Sequence, residues 1–262
     1  METLRELVQH RALVVSLVER QLSARYRGSV LGFLWTFLNP LLLMLVYSLV
    51  FSIFVRDDSI PHYASFMFCG LVPWLWFSQS LLEGSTAVLG GGTLITKALF
   101  PPQILPTVVT AANAVNFLFT LVLLFPFLMV GDRPIGHALL ALPVVGCIQL
   151  LFTYGLVLAI SALNVHYRDI QHIVGNVLQL WFFLCPILFS VDTASARDPR
   201  LGWVIYKLNP MGILIEAYHD IFYWNRWPHW DHLAIVAVLG VVSLALGIRV
   251  FDSYRDSFAE EL

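Results

Sequence analysis

VLGFLWTFLNPLLLMLVYSLVFSIFV, Val30 to Val55, contains no Asp, Glu, Lys or Arg, while Arg5, Arg11, Arg20, Arg25 and Arg27 all precede it. At about 1.5 Å of rise per helical residue, this run outlasts a hydrocarbon core of roughly 30 Å and can span a bilayer even when tilted. The basic leader predicts an N-terminus on the cytoplasmic side. A cleaved signal peptide fits poorly: its apolar region would be about half as long and would end in small residues. Here Phe51, Ile53 and Phe54 run straight into Arg56 and Asp57.

Composition extends the same reading to the whole chain. Hydrophobic residues make up 58% and charged residues 12%, with a mean hydropathy of +0.77, whereas soluble domains carry roughly 25% charge. Lipid is therefore the main solvent. The net charge of −2 says little about partners, because in a membrane protein it is the placement of basic residues in the loops that matters. Cys69, Cys147 and Cys185 all fall in apolar runs; an odd number so placed predicts small core residues rather than a disulfide framework.

Further apolar runs predict an all-α integral membrane domain covering 1–262, with six transmembrane helices at 30–55, 64–89, 104–130, 138–165, 173–191 and 231–251. Six crossings put both termini on one side. The inner side then holds Arg5, Arg11, Arg20, Arg25, Arg27, Lys97, Arg168, Arg249 and Arg255; the outer side holds Arg56, Arg133, Arg197, Arg200, Lys207 and Arg226. The bias is modest and rests on the N-terminal cluster, which most often sets orientation. Leu208 to Ile215 is too short for a seventh crossing and is hemmed in by Asn209, Pro210 and Glu216, so it predicts a dip into the membrane and back.

Residues 1–29 read as an amphipathic interface helix. Leu4, Leu7, Val8, Val15, Val18 and Leu22 share one side of a helical wheel, opposite Glu6, Gln9, His10 and Arg20. Leu13, Leu17 and Arg11 break the pattern, and the segment serves equally well as a basic topology anchor. Pro40, Pro73, Pro106, Pro126, Pro143 and Pro186 interrupt the spans. In water each break would cost about 3 kcal/mol, but in a membrane neighbouring helices or cavity water can satisfy the freed carbonyls. Broken helices suit a protein that lines a pathway, although simple kinking accounts for any one proline.

Some chemistries are missing. A phosphate cradle, G-x-x-x-x-G-K-[ST], needs a glycine before its lysine and a hydroxyl after it. Lys97 lies between Thr96 and Ala98, and Lys207 between Tyr206 and Leu208. Any ATP-driven transport would thus need a nucleotide site on another chain. An ion-coupled carrier would place ionisable groups near the bilayer midplane, yet only Glu83, near the inner end of the second span, approaches that description.

What the spans hold instead is aromatic. Flat apolar faces combined with a polar tip can contact sugar rings, and Phe33, Tyr47, Trp74, Trp76, Trp181 and Phe182 are the positions expected to line a channel. Against this, Trp and Tyr gather at membrane interfaces in any case. Two polar groups could imitate metal sites: His166, Asp169 and His172 by helical spacing, and Glu216, His219 and Asp220 in an E-x-x-H arrangement. Neither has the H-E-x-x-H pattern. Both read as interface polar residues, no metal is expected, and His229, Asp231 and His232 read as headgroup-level residues.

The string Arg25-Tyr26-Arg27-Gly28-Ser29-Val30-Leu31-Gly32-Phe33-Leu34-Trp35-Thr36-Phe37-Leu38-Asn39-Pro40 resembles the approach to the first span in ABC-2 type permeases that export bacterial polysaccharides, the O-antigen and teichoic-acid exporters. Gly70-Leu71-Val72-Pro73-Trp74, Asn164-Val165-His166-Tyr167-Arg168-Asp169-Ile170 and Leu208-Asn209-Pro210-Met211 agree in order, and the likeness covers essentially the whole chain.

This resemblance implies a homodimer with the export channel between its subunits, in the bacterial inner membrane, with both termini cytoplasmic and no nucleic-acid partner. It also implies two copies of a separate nucleotide-binding ATPase that carry the ATP and Mg, so this chain would have no cofactor and no catalytic residue of its own. A coupling loop at 90–106 would dock the ATPase through Thr93, Leu94, Ile95, Lys97, Leu99 and Phe100, and short re-entrant gate helices would fall within 192–230. The implied substrate is a glycan on undecaprenyl pyrophosphate, with O-antigen the first expectation. Arg20, Arg25 and Arg27 would meet its anionic headgroup, since guanidinium pairs bidentately with phosphate. Arg168 and Asp169 would form a bracing ion pair. The competing readings are an ABC-2 permease for drugs or plain lipids, and a membrane-embedded enzyme acting on polyprenyl-linked sugars through Glu216, His219 and Asp220.

Overall fold

The computed structural model describes residues 2–24, 31–54, 60–97, 100–130, 136–192, 195 and 198–261. Among these the structure is helical, with no strand. In chain order the helices are α1 (Glu2–Gln9), α2 (Arg11–Ala24), α3 (Trp35–Phe54), α4 (Tyr63–Ser85), α5 (Ala87–Gly90), α6 (Gly92–Lys97), α7 (Ile104–Val130) and α8 (Leu142–His166). Then follow α9 (Ile170–Phe183), α10 (Pro199–Trp203), α11 (Pro210–Phe222), α12 (Trp230–Tyr254) and α13 (Phe258–Glu261).

Among the described residues four helical stretches are long and apolar enough to cross a membrane: Tyr63–Ser85, Ile104–Met129, His137–His166 and Trp230–Ser257. They differ in how much of their surface the protein covers. The apolar window of Tyr63–Ser85 is 83% buried and that of Trp230–Ser257 only 22%, so α4 is the central post of the bundle and α12 keeps most of its surface for lipid. Around α4 stand α3, α7, α8, α9 and α11, while α12 packs chiefly along α8. Helix α3, 20 residues without a charged side chain, has the length of a span as well.

The prolines divide by position. Pro40, Pro73 and Pro126 lie inside helices. Pro106 and Pro143 instead sit in the first turns of α7 and α8, where a missing N–H costs nothing. Beside Pro73 of α4, Gln149 of α8 donates to the Pro73 carbonyl at 2.9 Å and so ties the two helices together.

Pro186 does more than kink. The expected span 173–191 is helical only to Phe183, after which Leu184 and Cys185 close back on the carbonyls of Trp181 and Phe182. A residue before proline is pushed out of the helical region, which stops the helix. At about 1.5 Å per residue the 14 residues of α9 reach roughly 21 Å, short of a full span. The return is made by α10, a π-helical turn at Val204–Leu208, and α11, whose side chains are almost all buried against α4, α8 and α12.

The interface helix at 1–29 is two helices, α1 and α2, between which helical hydrogen bonds continue from His10 N to Glu6 O and from Val14 N to His10 O. Beyond α2, Gly32 turns the chain at φ +47°, a backbone that favours glycine, and a 3-10 turn at Gly32–Leu34 leads into α3. Both ends of the chain lie at the same end of the bundle, because Arg255 pairs with Glu6 at 3.0 Å.

Candidate functional site

The end of the bundle that carries both termini is tied together by Glu6. Its carboxylate takes Arg255 from the C-terminal turn, and Gln103, just before α7, donates to it as well. Burial pushes this carboxyl up, but the hydrogen bonds from Gln103 and Arg255, with the positive charge of Arg255, outweigh that and hold it below the usual carboxylate value. A second join is made by His166 at the end of α8, whose Nε2 lies 3.0 Å from the Ser257 hydroxyl and whose ring packs on Tyr254. Beneath these contacts a separate apolar cluster of Val88, Leu158, Ala162, Val165, Phe251 and Phe258 joins α5, α8, α12 and α13.

The expected coupling loop meets this brace, and its residues sort by exposure. Ile95 turns inward onto the Val88 and Phe258 cluster, whereas Thr93 and Leu94 are exposed, Leu94 by 43%. Phe100 is half-buried. Lys97 ends α6, and Leu99 lies outside the described residues. Between α2, the α5–α6 segment and α7 runs a groove of ≈ 430 Å³ lined by Leu17, Arg20, Gln21, Thr93, Leu94 and Leu105 among others. Arg20 therefore shares a groove with Thr93 and Leu94. Arg25 and Arg27 lie outside the described residues.

Four of the six expected channel aromatics have described side chains, and they differ in burial. Trp74 and Trp76 are each only 5% exposed and belong to the protomer's core, Trp74 against Phe77 and Phe182, Trp76 stacked on Phe117 at 4.6 Å. Trp181 and Phe182 are half-buried on α9, while Phe33 and Tyr47 belong to the helices around the first span. The outward side of α9 instead shows Ile173, Val177, Leu180 and Phe183 together with exposed His172, Asn176 and Gln179. Polar amides facing outward on an otherwise apolar helix favour water or a second subunit over lipid.

Asn209 is the residue whose role the sequence did not reveal. It stands before α11 but does not cap it. Its amide reaches back to α9, accepting from Trp181 Nε1 at 2.8 Å and donating to Leu184 O at 2.9 Å. One 9%-exposed side chain thus fixes both the indole and the open end of the broken helix. An asparagine before a proline reads locally as a turn, which is why its tertiary duty was hidden.

The polar clusters resolve differently. His166 is engaged by Ser257, His172 and Asp169 are exposed, and the three are not gathered. Among the described residues Arg168 and Asp169 form no ion pair. Both are exposed, and Asp169 instead holds the N-cap position of α9, where a negative charge meets the helix start. The expected brace is thus made by Glu6, Arg255, His166 and Ser257. Glu216, His219 and Asp220 are together, but closed. Arg226 pairs with Asp220 at 2.6 Å and Glu216 at 3.6 Å, and His219 stacks on Phe66 with Nε2 at 3.0 Å from the Phe66 carbonyl. With His219 at 0% and Asp220 at 1% exposure, the cluster ties α11 to α4 and offers no reach to a substrate. The potential ligand atoms of His229, Asp231 and His232 lie within 4.8 Å of one another near the start of α12, with His232 Nδ1 3.0 Å from the Tyr206 hydroxyl.

A second cleft, of ≈ 490 Å³, lies inside the membrane bundle between α3, α4 and α7. It is lined by Asn39, Gln79, Glu83, Asn113, Asn116 and Thr120 around the stacked Trp76 and Phe117.

The arrangement agrees with the comparisons to known proteins. Residues 12–223 match the family described as ABC-2 type transporter. The chain is 46% identical over 259 residues to an O-antigen export system permease protein, RfbA, of Myxococcus xanthus, covering 98% of each chain. It is 30% identical over 251 residues to the RfbA permease of Klebsiella pneumoniae, covering 95% of each.

Proposed function

The chain belongs to the ABC-2 type transporter family, and from that membership we propose that it is the permease subunit of an exporter of O-antigen polysaccharide across the bacterial inner membrane. The observation that carries this is the 46% identity, spread over 98% of both chains, to a permease named for O-antigen export. The cargo is carried on undecaprenyl pyrophosphate, the working unit is a homodimer of six-span subunits, and a separate ATPase binds each subunit from the cytoplasmic side, where both termini lie.

Support for the mechanical part comes from the braced end of the bundle. A push delivered to Leu94 and Thr93 passes through Ile95 into the Val88 and Phe258 cluster, and from there into α8 and α12. The broken helix α9, with Asn176 and Gln179 outward, is suited to line a wet path against a second subunit. Short helices within 192–230 would gate the outer mouth. No residue here performs covalent chemistry; nucleotide and Mg stay on the ATPase.

The assignment is tested by expressing the gene with its cognate ATPase in a strain lacking its own O-antigen permease. Restored surface glycan is expected, and intact cytoplasmic glycan with none at the surface would overturn it. Within that assay, Leu94→Asp places a charge on an exposed apolar docking residue and is expected to abolish co-purification of the ATPase and lower export at least tenfold. An unchanged complex would move the docking site elsewhere. Arg25→Ala with Arg27→Ala removes two guanidinium groups from the headgroup's path. Export is expected to fall at least fivefold at normal protein level, and full display would reject headgroup capture.

A further inference from the structure

We propose that His229, Asp231 and His232, at the start of α12, form a binding site for a divalent transition-metal ion of the zinc class, with Tyr206 orienting His232 from the segment before α11. The site stands apart from the export reading, because it is built from this chain's own side chains and takes its ion from solution.

Its place in the fold is set by α12. Trp230 to Tyr254 is 25 residues of helix, roughly 37 Å at about 1.5 Å per residue, and the far end of that helix meets Glu6 through Arg255. The cluster therefore lies at the end of the bundle opposite the braced termini. His229 holds the N-cap position but makes no side-chain cap hydrogen bond, so its imidazole does not serve the helix start. That ring lies instead 5.9 Å, centroid to centroid, from the ring of His232 and 6.4 Å from that of Tyr206.

The distances suit a small cation. One ligand atom from each of the three residues lies within 4.8 Å of the others, and Asp231 Oδ2 stands 3.6 Å from His232 Nε2. Zinc–nitrogen and zinc–oxygen bonds of about 2.0–2.2 Å put tetrahedral ligand atoms roughly 3.3–3.5 Å apart. The Asp231–His232 edge is close to that length already, and rotation of the exposed His229 side chain closes the others. The second nitrogen of His232 is engaged, since Nδ1 lies 3.0 Å from the Tyr206 hydroxyl. A metal-ligating imidazole characteristically donates its other N–H to an oxygen, which fixes both tautomer and ring orientation. With Nδ1–H donating to Tyr206, Nε2 keeps its lone pair on the side of Asp231.

Donor chemistry then selects the ion. Two imidazoles and a carboxylate suit zinc, nickel or copper(II), whereas magnesium and calcium take shells of oxygen. Three protein ligands leave a fourth position, which the exposure of His229 and Asp231 opens to water. Read locally, His-Trp-Asp-His is a run of interface residues; Tyr206, 26 residues before His232, joins them only in the fold.

The test titrates Zn²⁺ into the permease–ATPase complex in lipid nanodiscs, purified on a tag free of histidine, in competition with a chromophoric zinc chelator. The ATPase is the same in every sample, so any zinc of its own cancels in the comparison with variants. Zinc affinity is expected to fall at least tenfold in His229→Ala, in His232→Ala and in Asp231→Asn, and about tenfold in Tyr206→Phe. Asp231 is 74% exposed, so Asp231→Asn keeps the fold and reads the site alone. A hundredfold excess of Mg²⁺ is expected to displace nothing. Co²⁺ in place of Zn²⁺ is expected to give the intense visible absorption of a four-coordinate ion, lost in His232→Ala. Equal zinc affinity in wild type, His229→Ala and Asp231→Asn overturns the proposal, as does displacement by Mg²⁺ or the pale spectrum of six-coordinate cobalt. Unchanged affinity in Tyr206→Phe would overturn its part in the site, because ligands placed by the local sequence alone are indifferent to Tyr206.

Discussion

Gly247→Ala is expected to leave the protein largely missing from the membrane or poorly monodisperse when extracted, although it adds a single methyl group to a helix. A Cβ at Gly247 would lie 2.1 Å from the carbonyl oxygen of Gly155, and one at Gly155 would lie 2.4 Å from the backbone of Leu244 and Ser243. Backbone meets backbone at this crossing of α8 and α12, so no side chain can swing away and only separation of the helices relieves the clash. Close approach through small residues is a principal source of helix association in lipid, where burial from water gives none. The cost is at least about 3 kcal/mol, the upper part of the range for overpacked cores. Gly146, on the same helix α8, has nothing within 4 Å of its Cβ position. Gly146→Ala is therefore expected to be neutral or stabilising by up to about 1 kcal/mol through helix propensity. Melting midpoints of the two variants in one lipid system should move in opposite directions; a shift of the same sign and size would refute the packing account.

Asn209→Leu is expected to cost about 2–4 kcal/mol and to abolish export even where protein remains. The substitution nearly conserves volume, but it leaves Trp181 Nε1 without its acceptor and Leu184 O without its donor, both at the end of a broken helix. Each buried group left unpaired costs about 1–3 kcal/mol. Because α9 stops at Phe183, this contact with α11 replaces the backbone hydrogen bonds that a continuous helix would have supplied. The indole reports the loss directly, through a changed Trp181 fluorescence in a variant whose other tryptophans are conserved as Phe. Wild-type stability and display in Asn209→Leu would show that the α9 end is held by something else.

The two variants mark where reading the chain succeeded and where it stopped. Runs of apolar residues at 64–89, 104–130, 138–165 and 231–251 announced helices because hydrophobic length is a local property, and helices stand there. Pro186 announced a break but not that the helix would end for good. The resemblance led to the expectation of a coupling segment at 90–106, but not of the division that turns Ile95 inward and Leu94 outward. Trp74 and Trp76 looked like channel aromatics because composition cannot tell a ring facing a pathway from one facing a neighbouring helix. The cleft was invisible for the same reason, since Asn39, Glu83 and Asn116 are far apart in sequence and ordinary one by one.

By itself the sequence determined that the chain lives in lipid, that prolines interrupt its apolar runs, that neither lysine sits in a G-x-x-x-x-G-K-[ST] cradle and that it resembles ABC-2 polysaccharide permeases. These follow from side-chain transfer energies and motif spacings, which each segment carries wherever it is placed. Only the tertiary structure decided that Asn209 serves α9, that Gly155 and Gly247 touch through backbone and that Glu6 fastens the two termini. Those facts depend on which distant segments become neighbours, and burial and hydrogen-bond satisfaction exist only once they do.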